Sequence, residues 1–153
     1  MSGESSTAVQ VTDTHNEAIA SVLNRLQKDI HKTALLKGWW DGDRKLLDLH
    51  DFLVATSSDT ELIDTAWQAA NVRKTGELLA LIHSEVSEAL EADRHGNPPD
   101  DKIPEFSGVE AELADVMIRI FDAAEGKGWD VIGAMMAKIQ MNKGRAYKHG
   151  KNY

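Results

Sequence analysis

Two pairs of acids stand at the edges of stripes that ought to be buried. In "ALIHSEVSEALEADRHGN" (residues 80–97) Glu85 and Glu88 are three positions apart, and in "EAELADVMIRIFD" (110–122) Glu112 and Asp115 repeat that spacing. Residues three apart share a helix face. Glu85 falls between Leu78, Leu81 and Ile82, and Glu88 lies on the margin beside Leu81. Glu112 flanks a second stripe of Val109, Leu113, Val116, Met117, Ile120 and Ala124, and Asp115, Arg119 and Asp122 continue along its edge. Two antiparallel helices packed stripe to stripe would gather Glu85, Glu88, Glu112 and Asp115. Unpaired buried charges cost several kcal/mol each, so a cation is expected among them. There is no cysteine, and no histidine sits at a matching spacing in either helix. An all-oxygen site suits a hard cation, Mg²⁺ or Mn²⁺. The competing reading is a buried Glu–Arg network through Arg119 or Arg73. Glu91, Asp93 and Glu110 read as surface acids, since a single acidic pair is common on solvated faces.

The end of the chain offers the opposite charge. Lys138, Asn142 and Arg145 form a polar, basic stripe beside Val131, Met135 and Ile139. Such a stripe could grip phosphate oxygens, Arg145 with its fork and the lysine as a point charge. Lys148 and Lys151 read instead as solvated charges complementing a helix C-terminus. Trp39 and Trp40 follow a helix end, as core anchors or as platforms for a base; Trp40 is the candidate for substrate contact. Trp67 and Trp129 are assigned to packing.

These residues need helices to hold them. Residues 1–13 are small and polar and read as a disordered tail. Thr14-His-Asn-Glu17 fits a capping box and opens a helix that Gly38 ends. A shorter helix is expected over 44–55, and Ser58-Asp-Thr-Glu61 caps another. The acid-bearing helices are expected over 72–94 and from Ser107 to about Glu125, with "HGNPPDDKIPE" between them and "GKG" after the second. The last helix spans roughly 129–143, before Gly144 and the basic tail "RAYKHGKNY". No alternating strand pattern is found. The fold class is all-α: an antiparallel bundle of about four core helices plus one or two short ones, completed by oligomerisation.

Composition removes several functions. The 153 residues make one domain able to bury a core. The absence of cysteine excludes disulfides and thiolate metal sites. No apolar run approaches a bilayer span, and the N-terminus lacks a signal-peptide pattern, so a cytoplasmic protein without membrane contact is expected. A net charge of −8 argues against duplex nucleic acid. His50-Asp51 matches the dipeptide of HD-type phosphohydrolases but lacks their other histidines, and a ferritin-like centre would need Glu-x-x-His pairs that are absent.

The pattern of "SEVSEALEA", then "ELADVMIRIFD", then "KIQMNKGRAYKHGK" resembles the MazG-like branch of the all-α nucleoside triphosphate pyrophosphohydrolases. "ALLKGWW" is similar to the family's first helix end. The resemblance covers residues 16–42 and 72–151. It implies a single MazG-like domain over 14–153 and Mg²⁺-dependent hydrolysis of nucleoside triphosphates, dNTPs among them, to the monophosphate and pyrophosphate. It implies metal ligands at Glu85, Glu88, Glu112 and Asp115, and phosphate contacts at Lys138, Asn142, Arg145 and Lys143. It also implies a homodimer or homotetramer. Water would attack in line, oriented by Glu85 or Glu88. Ser84 stands where many members carry a further glutamate, which leaves the number of ions open. Residues 44–70 exceed the usual linker and read as a lid or a dimer insertion. The alternative function is a non-catalytic helical module with the same fold.

Overall fold

The computed structural model describes residues 4–70 and 75–145, without the side chains of 4–13, 66 and 68–70. Arg73, Lys148, Lys151 and the expected helix start at Val72 lie outside the described residues. Among the described residues six helices follow in order: α1 (Glu4–Leu36), α2 (Asp41–Thr56), α3 (Thr60–Ala70), α4 (Thr75–Arg94), α5 (Gly108–Lys127) and α6 (Val131–Lys143). Among the described residues there is no strand, only an isolated bridge between Pro99 and Ser107. The all-α expectation is met.

Helix boundaries follow local chemistry, with three departures from the sequence reading. α1 runs from Glu4, through the segment expected to be a disordered tail and through the Thr14 box. No glycine or proline interrupts the chain from Glu4 to Leu36, so nothing in it forces a start at Thr14. α2 begins at Asp41 rather than Arg44, because Asp41 and Asp43 suit a first helical turn. α3 is capped by Asp59 rather than Ser58: the Asp59 carboxylate accepts a hydrogen bond from the Leu62 amide at 3.0 Å. The box at Ser107 and Glu110 forms as expected, each side chain satisfying the other's backbone amide.

Gly38 has φ +80°, and the Trp39 amide donates back to the Ala34 carbonyl. Gly128 has φ +67°, and the Trp129 amide donates to the Ala124 carbonyl. These are left-handed helix terminations, which a side chain bearing Cβ would strain. The first matters most, because it turns two tryptophans back toward the helices.

α5 is the central element, flanked by α4 and α1, and α6 packs on α1. Along α4 and α5, Ala92 faces Gly108, Glu85 meets Arg119 and Leu78 clusters with Ala123. One numbering falls as the other rises, so the pair is antiparallel. Gln27 meets Glu125 and His31 meets Asp122, so α1 is antiparallel to α5 too. Ala111, Ala123 and Ala124 are buried in α5, and such small residues allow close approach on two sides. Trp40, Leu78 and Ala123 form a core cluster, with Ala34 and Leu35 against it. Burying a leucine such as Leu78 contributes about 1.5–3 kcal/mol.

α2 and α3 pack chiefly on each other. Ile63 is buried and the His50 ring packs tilted against Trp67 with ring centroids 4.4 Å apart, while Leu49, Phe52 and Leu62 remain exposed. Among the described residues no helix is long and apolar enough to cross a membrane.

Candidate metal centre

The seam between α4 and α5 carries the acids. Glu85 is 5% exposed, on the buried face of α4 with Leu78 and Ala89. Glu112 is half-buried on α5, and Asp115 is exposed one turn later. Carboxylate oxygens of Glu85, Glu112 and Asp115 all lie within 4.8 Å of one another. Among the described residues this is the group able to hold a metal ion. The antiparallel register brings it about: the loop after α4 returns the chain so that its acidic turn faces that of α5. Asp100 Oδ1 accepts from the Lys102 and Ile103 amides, Asn97 Oδ1 accepts from the Val109 amide, and the Gly108 amide donates to Pro98. An added Cβ on Gly108 would stand 3.0 Å from Ala92, so the two helices meet closely there.

The Glu112 carboxyl is pushed above the usual carboxylate range. Desolvation is the main cause, followed by the negative charges of Glu88, Glu85 and Asp115 and the closeness of the Glu85 side chain. An oxygen-only donor set with Glu112 shifted in this way fits a hard divalent cation, which would offset the repulsion.

Glu88 does not join the tight group. It is exposed, near enough to act on Glu112 by its charge and no nearer. Of the four expected ligands the structure thus gathers Glu85, Glu112 and Asp115 and leaves Glu88 at the rim.

A cation already touches the group. Arg119 Nε donates to Glu85 Oε1 at 2.6 Å, with the guanidinium carbon 5.8 Å from the centre of the Trp39 ring. The Glu–Arg pair posed as the competing reading therefore exists, and it coexists with the acidic group.

Beside this seam, between α1 and α5, lies a cavity of about 340 Å³ lined by Ile30, Thr33, Ala34, Lys37, Trp39, Asp115, Ile118, Arg119 and Asp122. That volume is within the range of small-molecule sites. Trp40 is not on its wall. It is 4% exposed, and its indole N–H donates to Asp122 at 2.9 Å. Gly126 leaves room for it, since an added Cβ would come within 2.4 Å of the ring. The assignment of Trp40 to substrate contact is corrected: it is a core anchor, and the exposed ring at the cavity is Trp39. The double tryptophan was visible in the sequence, but the Gly38 turn decides which ring goes in.

The last-helix cations are also elsewhere. Lys138, Asn142, Lys143 and Arg145 are exposed, and none lines the cavity. α6 has apolar residues round much of its circumference, so its pattern did not dictate which side would face the acids. The cavity's own cations are Lys37 and Arg119. Sequence reasoning also missed a polar seam from α1. His31 Nδ1 lies 2.7 Å from Asp122 Oδ1, and Gln27 donates to Glu125 at 2.8 Å. The signal was the spacing of Gln27 and His31, one turn apart beside the apolar stripe.

No family model, no curated protein and no solved structure matches the chain. The reading of function therefore rests on the geometry. His50 and Asp51, 3.5 Å apart on α2, join no acidic or histidine group among the described residues.

Proposed function

We propose that the chain is a MazG-like, Mg²⁺-dependent hydrolase that cuts nucleoside triphosphates to the monophosphate and pyrophosphate. The observation that carries the reading is the convergence of Glu85, Glu112 and Asp115 from two helices, with Asp115 also on the wall of a cavity that holds Trp39, Lys37 and Arg119. Glu85, Glu112 and Asp115 would hold the ion, with Mn²⁺ as a substitute. Bound there, the ion supplies neutralisation of phosphate charge.

The chain's own groups supply the rest. Lys37, Arg119 and the exposed Trp39 line the cavity, where the two cations would meet phosphate oxygens and the ring would take a base. Glu88 is the carboxylate left to orient water, being close to Glu112 yet outside the ligand group. Water attacks the α-phosphorus in line, its oxygen forms the new P–O bond, and pyrophosphate departs with the electrons of the old one.

Assembly into homodimers or homotetramers is part of this proposal. Leu79, Val86 and Leu90 of α4 and Leu113 and Met117 of α5 are exposed large apolar residues that a second copy could cover.

The test incubates the protein with each common NTP and dNTP plus Mg²⁺ and measures pyrophosphate. Turnover that requires Mg²⁺ and falls sharply in Glu112→Gln is expected. No turnover on any nucleotide, with metal binding unchanged in Glu112→Gln, overturns the reading. The Arg119–Glu85 pair favours one rival, a non-catalytic helical module whose acids are structural. That rival expects no rise in melting temperature with Mg²⁺, whereas the enzyme expects one.

A further inference from the structure

The group of three acids is in contact with one guanidinium. Arg119 holds Glu85 through Nε at 2.6 Å, with the Glu85 side chain 7% exposed. Its terminal Nη groups, the pair suited to phosphate oxygens, are not the atoms of that bond. Arg119 is itself about one-third exposed, lines the cavity beside Asp115, and lies near the Trp39 ring. The residue thus bridges two places: the buried carboxylate of the acidic group, and the open cavity where an anion would sit.

A buried carboxylate without a partner is costly, and Arg119 is the cation that Glu85 meets here. A divalent ion drawn to Glu85, Glu112 and Asp115 would meet the same need with more charge. The two cations therefore compete for one carboxylate.

We propose that Arg119 is a built-in counter-ion that a divalent cation displaces from Glu85, and that the released guanidinium then serves as a polyphosphate contact in the cavity. The inference rests on the metal-site reading above and adds to it an exchange. In the metal-free protein Arg119 partners Glu85 and holds it in place. With metal present, Glu85 is satisfied without it, and Arg119 turns its fork toward the cavity from the Trp39 side. The guanidinium fork would then be freed for phosphate oxygens only when the metal is there, which couples the two binding events.

The experiment measures Mn²⁺ binding by calorimetry, and inorganic tripolyphosphate binding at saturating Mn²⁺, in wild type, Arg119→Ala and Arg119→Gln. Loss of the competing cation is expected to tighten Mn²⁺ binding by about tenfold. The same variants are expected to bind tripolyphosphate more weakly, by about tenfold, and to melt earlier without metal. The opposite signs matter, because an arginine with a purely structural role would weaken both. Arg119→Gln carries the test where the alanine variant does not fold. Unchanged or weaker Mn²⁺ binding in a folded variant overturns the exchange alone. Unchanged tripolyphosphate binding overturns the phosphate contact. Absence of Mn²⁺ binding in wild type and variants alike overturns the metal site, and this inference with it.

Discussion

The two sides of α5 treat their acids differently. Toward α1, the acids meet neutral or amphoteric partners: Asp122 takes the Trp40 indole N–H and the His31 ring, and Glu125 takes the Gln27 amide. Toward α4, Glu85, Glu112 and Asp115 face one another with one arginine among them. The first seam is hydrogen-bonded around a buried tryptophan, with Gln27 Oε1 left without a partner among the described residues and Asp122 also on the cavity wall. The second brings carboxylates together, and burial first and then the neighbouring charges push the Glu112 carboxyl above the usual range. Buried polar groups that are satisfied specify packing, and those that are not have another use or a further partner. The contrast sets acids that meet hydrogen-bond partners from α1 and its end apart from the group between α4 and α5 that we propose holds a metal ion.

The sharpest way to break that contrast is Glu112→Gln. Removing a ligand from the α4 seam should lower Mg²⁺ affinity by at least about 100-fold, read by calorimetry, while the metal-free protein keeps its melting temperature or gains. Asp122→Ala attacks the other seam. It strips partners from Trp40 and His31 and should cost about 2–3 kcal/mol in urea unfolding, with Asp122→Asn milder. If Asp122→Ala were neutral and Glu112→Gln ruinous to folding, the two seams would have been assigned the wrong way round. Gly126→Ala should cost about 1–3 kcal/mol, because its Cβ would intrude on the Trp40 ring. A loss in Trp40→Phe comparable to that in Asp122→Ala would sharpen the case that the indole N–H organises the α1 seam.

The smallest effects concern pH, and their signs differ. Glu112 has a raised folded pKa, above its ordinary 4.5. Its contribution to metal-free stability is present below about pH 4.5 and is lost as pH rises through the folded value. Glu112→Gln should flatten that fall, and Mg²⁺ should oppose it increasingly at higher pH. Glu110 is the reverse case. Its backbone and side-chain hydrogen bonds with Ser107 lower its pKa. Its stabilisation is present above the unfolded value and is lost as pH falls through the folded one. Melting temperatures against pH for Glu110→Gln should show a slightly weaker acid dependence than wild type.

Much of this was legible one residue at a time. The Ser107 box, the Gly38 and Gly128 stops, and the inward position of Glu85 all follow from local spacing. The start of α1 was not, because a capping signal at Thr14 does not end a helix when the residues before it can also be helical. Glu88 misled because i, i+3 spacing names a shared face but not its depth. Trp40 misled because adjacent residues leave a turn in different directions, and only the turn geometry chooses between them. Asp122 and Arg119 were noted on one edge, yet their partners, His31 and Glu85, come from different helices.

The sequence by itself determined the helices and the amphipathic faces that carry the acids, because hydrogen bonding within a helix and its 3.6-residue period are local. Only the tertiary structure decided which acids meet which partners. The antiparallel registers of α4 and α1 against α5 place a buried glutamate beside an arginine on one seam and an aspartate beside an indole on the other. Electrostatic cost depends on those distances and on burial, and neither is a property of a single helix.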